Sequence, residues 1–369
     1  MTYGAGMSLA LPFQPPLEPM LSKPAADIPT GEPWIYEPKW DGFRALVFKA
    51  GDDIYIQSRD QKPLGRYFPE LELSLRSNLP ERCILDGEVV IAHAGRLDFD
   101  AMLQRIHPAA SRVAMLAAEK PASYVAWDVL ALDDQDLRQV PQGQRRDRLV
   151  AALANAKPPV HITPATRDRA LASDWFARFE GAGLDGVIAK SDDMAYMPGK
   201  RVMLKIKHKR TADCVVAGFR WYKGSKGVLV GSLLLGLYDA AGVLHHVGVC
   251  AGFKKEVRAE LATQLTPLRD REHHPWKDWA EFQDADESQR LPGATSRWNR
   301  GKDLSWEPLR LELVCEVSFD HLQGTRFRHG THFVRWRPDK SIMDCRYDQL
   351  EETPAFEIAQ IFGSGQSIT

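Results

Sequence analysis

Lys39 stands in the run Glu37-Pro38-Lys39-Trp40-Asp41-Gly42-Phe43-Arg44, at the end of a strand pattern and just before an Asp-Gly turn. A lysine acting as a nucleophile must lose a proton near neutral pH, although its ordinary pKa is ~10.4. Burial and neighbouring cations lower that value, and a strand end holds the amine rigidly. Taken alone, Lys-x-Asp-Gly is better read as a strand-edge lysine before a hairpin, since chance matches to so short a motif are common. Asp86-Gly87-Glu88 interrupts the apolar run Cys83 to Ala92. Buried carboxylates are costly unless paired or metal-bound. Trp127-Asp128 places an indole and an acid among apolar residues. An indole face can stack on a base, and by itself it is also an ordinary core tryptophan. Asp185-Gly186-Val187-Ile188-Ala189-Lys190 precedes Lys205-Ile206-Lys207, whose lysines share one face of a strand by the two-residue period. Such a pair can clamp phosphates, or simply guard a sheet edge.

The elements that must position these groups are legible from patterning. Trp34 to Trp40 reads as a strand, and Phe43 to Ala50 and Asp53 to Arg59 as a hairpin turned at Gly51-Asp52. Pro69 to Leu79, Asp98 to Ile106, Gly143 to Asn155 and Ala172 to Gly183 read as helices. Cys83 to Ala92, Ser123 to Leu132, Gly186 to Lys190 and Val202 to Lys207 read as strands. Beyond Lys207, short strands (Cys214 to Tyr222, Val228 to Tyr238, Val243 to Cys250, Glu312 to Asp320) surround one helix, Lys255 to Leu265. That texture predicts a small barrel of the type used for oligonucleotides. The reading is a first domain over 34–208, a second over 209–369 with a long loop at about 269–308, and a boundary near His208 to Ala212. The proline-rich segment 1–33 reads as an extended arm on the surface.

Composition narrows the classes. The 369 residues are 44% apolar and 26% charged, which excludes disorder, collagen and coiled coil for the whole chain. Net charge is -1, so any surface for nucleic acid must be local. One candidate is the stretch 201–230, where eight Lys/Arg face a single acid, Asp213. It includes Lys209, Arg210, Arg220, Lys223 and Lys226, interleaved with Phe219, Trp221 and Tyr222. A second cluster runs from Arg326 to Lys340. The five cysteines are odd in number and the nearest pair is 30 residues apart, which favours free thiols in a reducing, cytoplasmic setting and argues against zinc. The longest apolar run, Val228 to Tyr238, is 11 residues, short of the ~20 that span a bilayer.

The order of the motifs is more specific than any one of them. Lys-x-Asp-Gly, Asp-Gly-Glu, aromatic-Asp, acid-Gly-Val-Ile-x-Lys, Lys-x-Lys and Arg337-Pro338-Asp339-Lys340 together resemble the covalent nucleotidyltransferase superfamily of ATP-dependent DNA ligases, RNA ligases and capping enzymes. Within it, Pro19 to Pro24, Ser58 to Leu71 and Leu184 to Lys190 look most like bacterial ATP-dependent DNA ligases, in particular the small C-type ligases of mycobacteria and related bacteria. The resemblance implies an α+β fold: an adenylation (nucleotidyltransferase) domain of antiparallel sheets with helices, followed by an OB-fold β-barrel. It implies ATP, with AMP carried covalently on Lys39, and Mg²⁺, for which Mn²⁺ can substitute. It implies nicked duplex DNA as substrate, a monomer, and a task in repair with partners the sequence does not identify.

By the same resemblance Lys39 is the nucleophile, Glu37 reads the adenine, Arg44 contacts the nucleotide or nick phosphate, and Arg59 engages the nick 5′-phosphate. Glu88 holds the ribose hydroxyls and is a second metal candidate, Trp127 stacks on the adenine, and Asp185 binds the metal. Lys205 and Lys207 hold the α-phosphate. Arg337, Asp339 and Lys340 orient pyrophosphate in the first step, which requires the barrel to swing about a hinge near His208 to Ala212. Two positions depart from the family pattern: Trp127 replaces a Phe or Tyr, and Asp185 replaces a Glu one methylene longer. Glu180-Gly181 offers another acid-Gly pair, but on a helix end without a following strand. The alternatives are an RNA ligase or capping-type enzyme, and a non-catalytic OB-fold protein that binds single strands.

Overall fold

The structure is a computed structural model and describes residues 9–31, 33–208, 210–277, 305–320, 322–327, 330–350 and 356–363. Contacts divide the chain into two units, residues 1–207 with 353–369, and residues 208–352. The second unit is thus inserted between two segments of the first. The C-terminal boundary expected at 369 for the second domain is corrected accordingly. Helix Ile358–Gly363 belongs to the first unit, where Ile358 and Ile361 bury against Trp40, Val90 and Leu184.

The first unit holds two sheets. One has the order Leu21–Pro24, Arg201–Ile206, Val187–Ser191, Trp34–Pro38, with its first pair parallel and the others antiparallel. The other runs Asp53–Ser58, Phe43–Ala50, Arg82–His93, Ala122–Leu132, Gln135–Asp136, with Val160–Ile162 added parallel to Ala122–Leu132. The hairpin turn falls at Gly51, whose φ of 62° suits glycine. Register then sets chemistry opposite chemistry: Arg44 pairs with Glu88, and Asp86 with Asp128.

Leu71 and Leu75 of helix Pro69–Asn78 are buried against this second sheet. Asp98 and Asp168 cap helices Phe99–Arg105 and Arg169–Arg178 by accepting from Ala101 and Ala170 backbone N–H groups. Helix Ala110–Glu119 and strand Val160–Ile162 have no counterpart in the sequence reading.

The N-terminal segment is not a surface arm. Leu9, Leu17 and Met20 are buried beside Leu46 and Phe48, and Leu21–Pro24 is a sheet strand. Gln57 seals the entry by accepting from the Leu17 N–H at 2.9 Å and donating to its carbonyl at 2.6 Å. The apolar residues between the prolines supply the burial that prolines alone do not.

In the second unit an antiparallel sheet has the order Leu244–Cys250, Val230–Tyr238, Arg210–Trp221, Val314–Phe319, His332–Trp336, with Glu307–Pro308 paired to Arg210–Trp221. Thr331, just before the last strand, bridges to Cys250 at the end of the first, so the path closes on itself. Closure removes sheet edges, as a barrel requires. The interior holds Phe219, Leu235, Val247 and Trp276. His274 donates from Nε2 to the Ala217 carbonyl at 2.8 Å, so the start of the expected 269–308 loop packs into this core. Residues 278–304 of that loop lie outside the described residues. All five cysteines are buried and outside any disulfide. Among the described residues no helix is long and apolar enough to cross a membrane.

Candidate active site

The first unit opens a cavity of about 280 Å³ lined by Glu37, Lys39, Arg44, Arg59, Glu88, Trp127 and Lys205. Seven candidate residues, far apart in sequence, therefore share one wall. Lys39 is pinned at both backbone groups: its N–H donates to the Gly186 carbonyl at 2.8 Å, and its carbonyl accepts from the Asp185 N–H at 2.9 Å. This clamp fixes the side-chain pair, with Lys39 Nζ 2.5 Å from Asp185 Oδ2. Lys207 Nζ reaches the same oxygen at 2.8 Å. Two glycines make the approach possible. Gly186 has φ 122°, and a Cβ there would meet the Ile206 carbonyl oxygen at 2.0 Å. A Cβ on Gly42 would lie 2.1 Å from the Val89 carbonyl oxygen. The Asp-Gly pairs of both motifs therefore have a steric cause.

Glu37 is buried, and its Oε2 lies 2.7 Å from Lys190 Nζ. Burial raises its pKa, and Lys190 opposes the shift. Its Oε1 has no hydrogen-bond partner among the described residues. A buried, unpartnered acceptor is costly unless a ligand completes it. Glu88 accepts from the Gly42 N–H at 3.1 Å. Burial pushes its carboxyl up to about 8, against the opposing charges of Lys39 and Arg44. Lys205 is held below the ordinary lysine value by burial, with Lys207 and Lys39 adding like charge. The Trp127 ring has two cations near it, Arg44 Cζ at 5.4 Å and Lys190 Nζ at 5.8 Å from its centroid.

Arg44 is held in the cavity wall. Its guanidinium forks onto Asp86 at 2.9 and 2.5 Å, and donates to the Met20 carbonyl at 2.5 Å. It lines the cavity, and its bonds to Asp86 neutralise that fully buried acid. Asp86 also accepts from the Tyr196 hydroxyl at 2.8 Å. Arg59 is exposed where it lines the cavity. Sequence reasoning missed Lys190 and Arg201 as site residues, and the contribution of Leu21 and Ser22. Lys190 lay within a quoted motif. Leu21 and Ser22 were hidden because the segment read as a surface arm.

The remaining candidates lie in the second unit. Arg337 donates from Nη1 to both Asp213 oxygens at 2.9 Å and from Nη2 to Asp339 at 2.7 Å. Lys340 Nζ lies 3.2 Å from Asp213. Arg337 holds Asp339 down at about 2. Arg210 and Arg220 sit on strand Arg210–Trp221, and Lys223 and Lys226 on the exposed turn after it. Lys209 lies outside the described residues. Among the described residues no three Cys, His, Asp or Glu side chains gather as a metal centre. Asp185 supplies one hard carboxylate oxygen, suited to a cation that takes its other oxygens from a phosphate and water.

Two family models match the chain: "ATP dependent DNA ligase domain" over residues 19–207, and "ATP dependent DNA ligase C terminal region" over 226–340. The chain is 52% identical to DNA ligase C2 of Mycolicibacterium smegmatis over 346 residues, covering 93% of this chain and 97% of that one. It is 50% identical to DNA ligase C of Mycobacterium tuberculosis over 360 residues, 96% and 99% of the two chains. A multifunctional non-homologous end joining DNA repair protein of M. tuberculosis, LigD, matches at 31% over 240 residues, 64% of this chain and 29% of that one. Among solved structures, a Lig E DNA ligase shares the fold at 16% identity and a TM-score of 0.51, covering 86% of this chain and 99% of that one. With both models in order along the chain and half its residues shared with full-length ligases, the chain belongs to the ATP-dependent DNA ligase family.

Proposed function

We propose that this ligase seals nicks in duplex DNA by way of an AMP covalently bound to Lys39. The observation that carries the reading is the Lys39–Asp185 pair at 2.5 Å in a cavity that also holds the unpartnered Glu37 Oε1. Lys39 Nζ attacks the α-phosphorus of ATP, forming a P–N bond as the bond to pyrophosphate breaks. The amine must shed a proton for this. The AMP then passes to the 5′-phosphate of the nick, and the 3′-hydroxyl attacks that phosphate and expels AMP. Positioning and charge neutralisation are the protein's share of such chemistry. Lys205 and Lys207 supply the charge beside Lys39.

Glu37 selects the base. Lys190 holds one of its oxygens, and the other accepts from the exocyclic amine of adenine. Guanine presents a carbonyl at that position, so the acceptor would face an acceptor, and a polar mismatch of this kind discriminates strongly. Trp127 offers the stacking face. Burial that keeps a proton on Glu88 suits a hydrogen bond to ribose hydroxyls. Asp185, with Glu88 as the second candidate, would hold Mg²⁺, or Mn²⁺ in its place, and the ion would supply charge stabilisation at the phosphates. Arg59, exposed where it lines the cavity, suits the nick 5′-phosphate, and Lys209, Arg210, Arg220, Lys223 and Lys226 suit the DNA backbone. We read the protein as a cytoplasmic monomer. A repair role is supported by one relative's name, and the five buried thiols fit a reducing compartment.

The test is nick sealing on a defined duplex with ATP, GTP and NAD side by side, together with α-labelled ATP on the wild type and Lys39→Ala. The expected outcome is sealing with ATP and loss of protein label in the variant. Label persisting on Lys39→Ala would overturn the assignment. Sealing confined to RNA ends would favour the RNA-ligase alternative.

A further inference from the structure

Trp40 directly follows the nucleophile and lines the same cavity, and its indole also belongs to an apolar cluster. It is buried, and its Nε1 donates to Thr163 Oγ1 at 2.8 Å. The ring stacked on it comes from the far end of the sequence. Phe362 lies 5.6 Å from Trp40, centroid to centroid, at an interplanar angle of 5°. The same phenyl stacks on His161 at 4.1 Å and 13°. The two strands of contact close on themselves, because His161 and Thr163 are neighbours on one segment. The cluster also contains Leu184, which precedes Asp185, and Trp127. Three active-site positions therefore share one apolar backing, and helix Ile358–Gly363 completes it.

The helix is docked by specific contacts. The Ile358 N–H donates to the Gly95 carbonyl at 2.8 Å. Phe356 packs on Phe179 at 5.2 Å and under the Arg178 guanidinium at 5.0 Å. Ile358 and Ile361 are buried. Lys39 and Asp185, the chain neighbours of Trp40 and Leu184, are tied to each other through the backbone, and their side chains pair at 2.5 Å.

We propose that Phe362 is a positioning residue for the first step: by stacking on Trp40 it fixes the turn that aims Lys39 at the α-phosphorus. The role rests on the reading of Lys39 as the adenylated residue. Misplacement of a reacting group by an ångström can lower a rate ~100-fold, so a loosened turn has a kinetic signature. A ring that only stabilised the fold would instead affect every step alike.

The test compares Phe362→Leu, which keeps apolar bulk without a stacking ring, with Phe362→Tyr, which keeps the ring, and with Phe362→Ala, all in the full chain. Single-turnover formation of the enzyme-adenylate is measured at saturating ATP, beside sealing of a pre-adenylated nick and thermal unfolding. Phe362→Leu and Phe362→Ala should slow adenylate formation about tenfold or more, with sealing of the pre-adenylated nick changed less than about twofold. Phe362→Tyr should restore the rate. Equal slowing of both steps, wild-type adenylation in Phe362→Leu, or a loss in Phe362→Leu that follows its thermal unfolding would each assign the ring to stability alone and overturn the proposal. Absence of a label removable by Lys39→Ala in the wild type would instead fault the nucleophile, which separates the two failures.

Discussion

Glu88 sits where burial and catalysis pull on one carboxyl group. Burial raises it from 4.5 to about 8, and the adjacent cations only partly offset that. Between those two values the folded protein keeps a proton that the unfolded chain has released. Stability should therefore fall as pH rises from 4.5 to about 8, and level off above it. The slope would be up to roughly 1 kcal/mol per pH unit in that window. Glu88→Gln keeps an oxygen for the Gly42 N–H and removes the titration. Urea unfolding at about pH 5.5 and about pH 8 should show the wild type losing stability and the variant losing less. Equal losses in both proteins would mean that Glu88 is ionised in the fold throughout.

Among the elements, the end of strand His332–Trp336 brings Arg337 and Lys340 onto one buried carboxylate, Asp213 of strand Arg210–Trp221. Register produces this meeting: Asp213 pairs with Glu316, and Glu316 with Arg335. The arrangement fixes a guanidinium and an amine among two carboxylates, Asp213 and Asp339, and the role proposed for the two cations is to meet the leaving pyrophosphate. Because pyrophosphate exists only in the first step, Arg337→Ala or Lys340→Ala should depress self-adenylation from ATP at least about tenfold more than sealing of a pre-adenylated nick. Equal loss in the two assays would remove the cluster from the first step. Asp213→Asn, which weakens the grip on both cations, should lower self-adenylation in the same direction.

Across the whole molecule, a net charge of -1 must coexist with a polyanionic substrate, so binding falls to local patches. Lys223 and Lys226 occupy an exposed turn whose Gly224 and Gly227 have φ of 70° and 83° and open space around them. A turn kept clear of packing can approach a phosphate backbone. If both lysines neutralise phosphates, log affinity for nicked duplex against log salt should become shallower by about 0.9 for each lysine removed. The double variant Lys223→Ala/Lys226→Ala should leave ATP-dependent self-adenylation intact. An unchanged affinity and slope would mark the turn as a solvated surface only. A fall in self-adenylation would tie it to the nucleotide site.

The motifs around Lys39, Glu88, Trp127, Asp185 and Lys205 stood out in sequence by coupling a polar residue to a local apolar or glycine pattern, but only their order along the chain and the family resemblance it carries made them a candidate site. Such patterns report strands and tight approaches directly, and the steric need at Gly42 and Gly186 bears out that coupling. Most elements followed for the same reason, since periodicity is local. What tertiary structure alone decided is where non-local surface gets buried. The N-terminal segment became a sheet strand because Leu9, Leu17 and Met20 had a core to enter. Arg44 turned onto Asp86, since a fully buried acid must be neutralised by whichever cation the fold brings near. Phe362 reached Trp40 because the chain returns to the first unit after completing the second. No spacing rule encodes those meetings. They arise when distant segments compete to cover the same apolar face, and only the folded chain settles that competition.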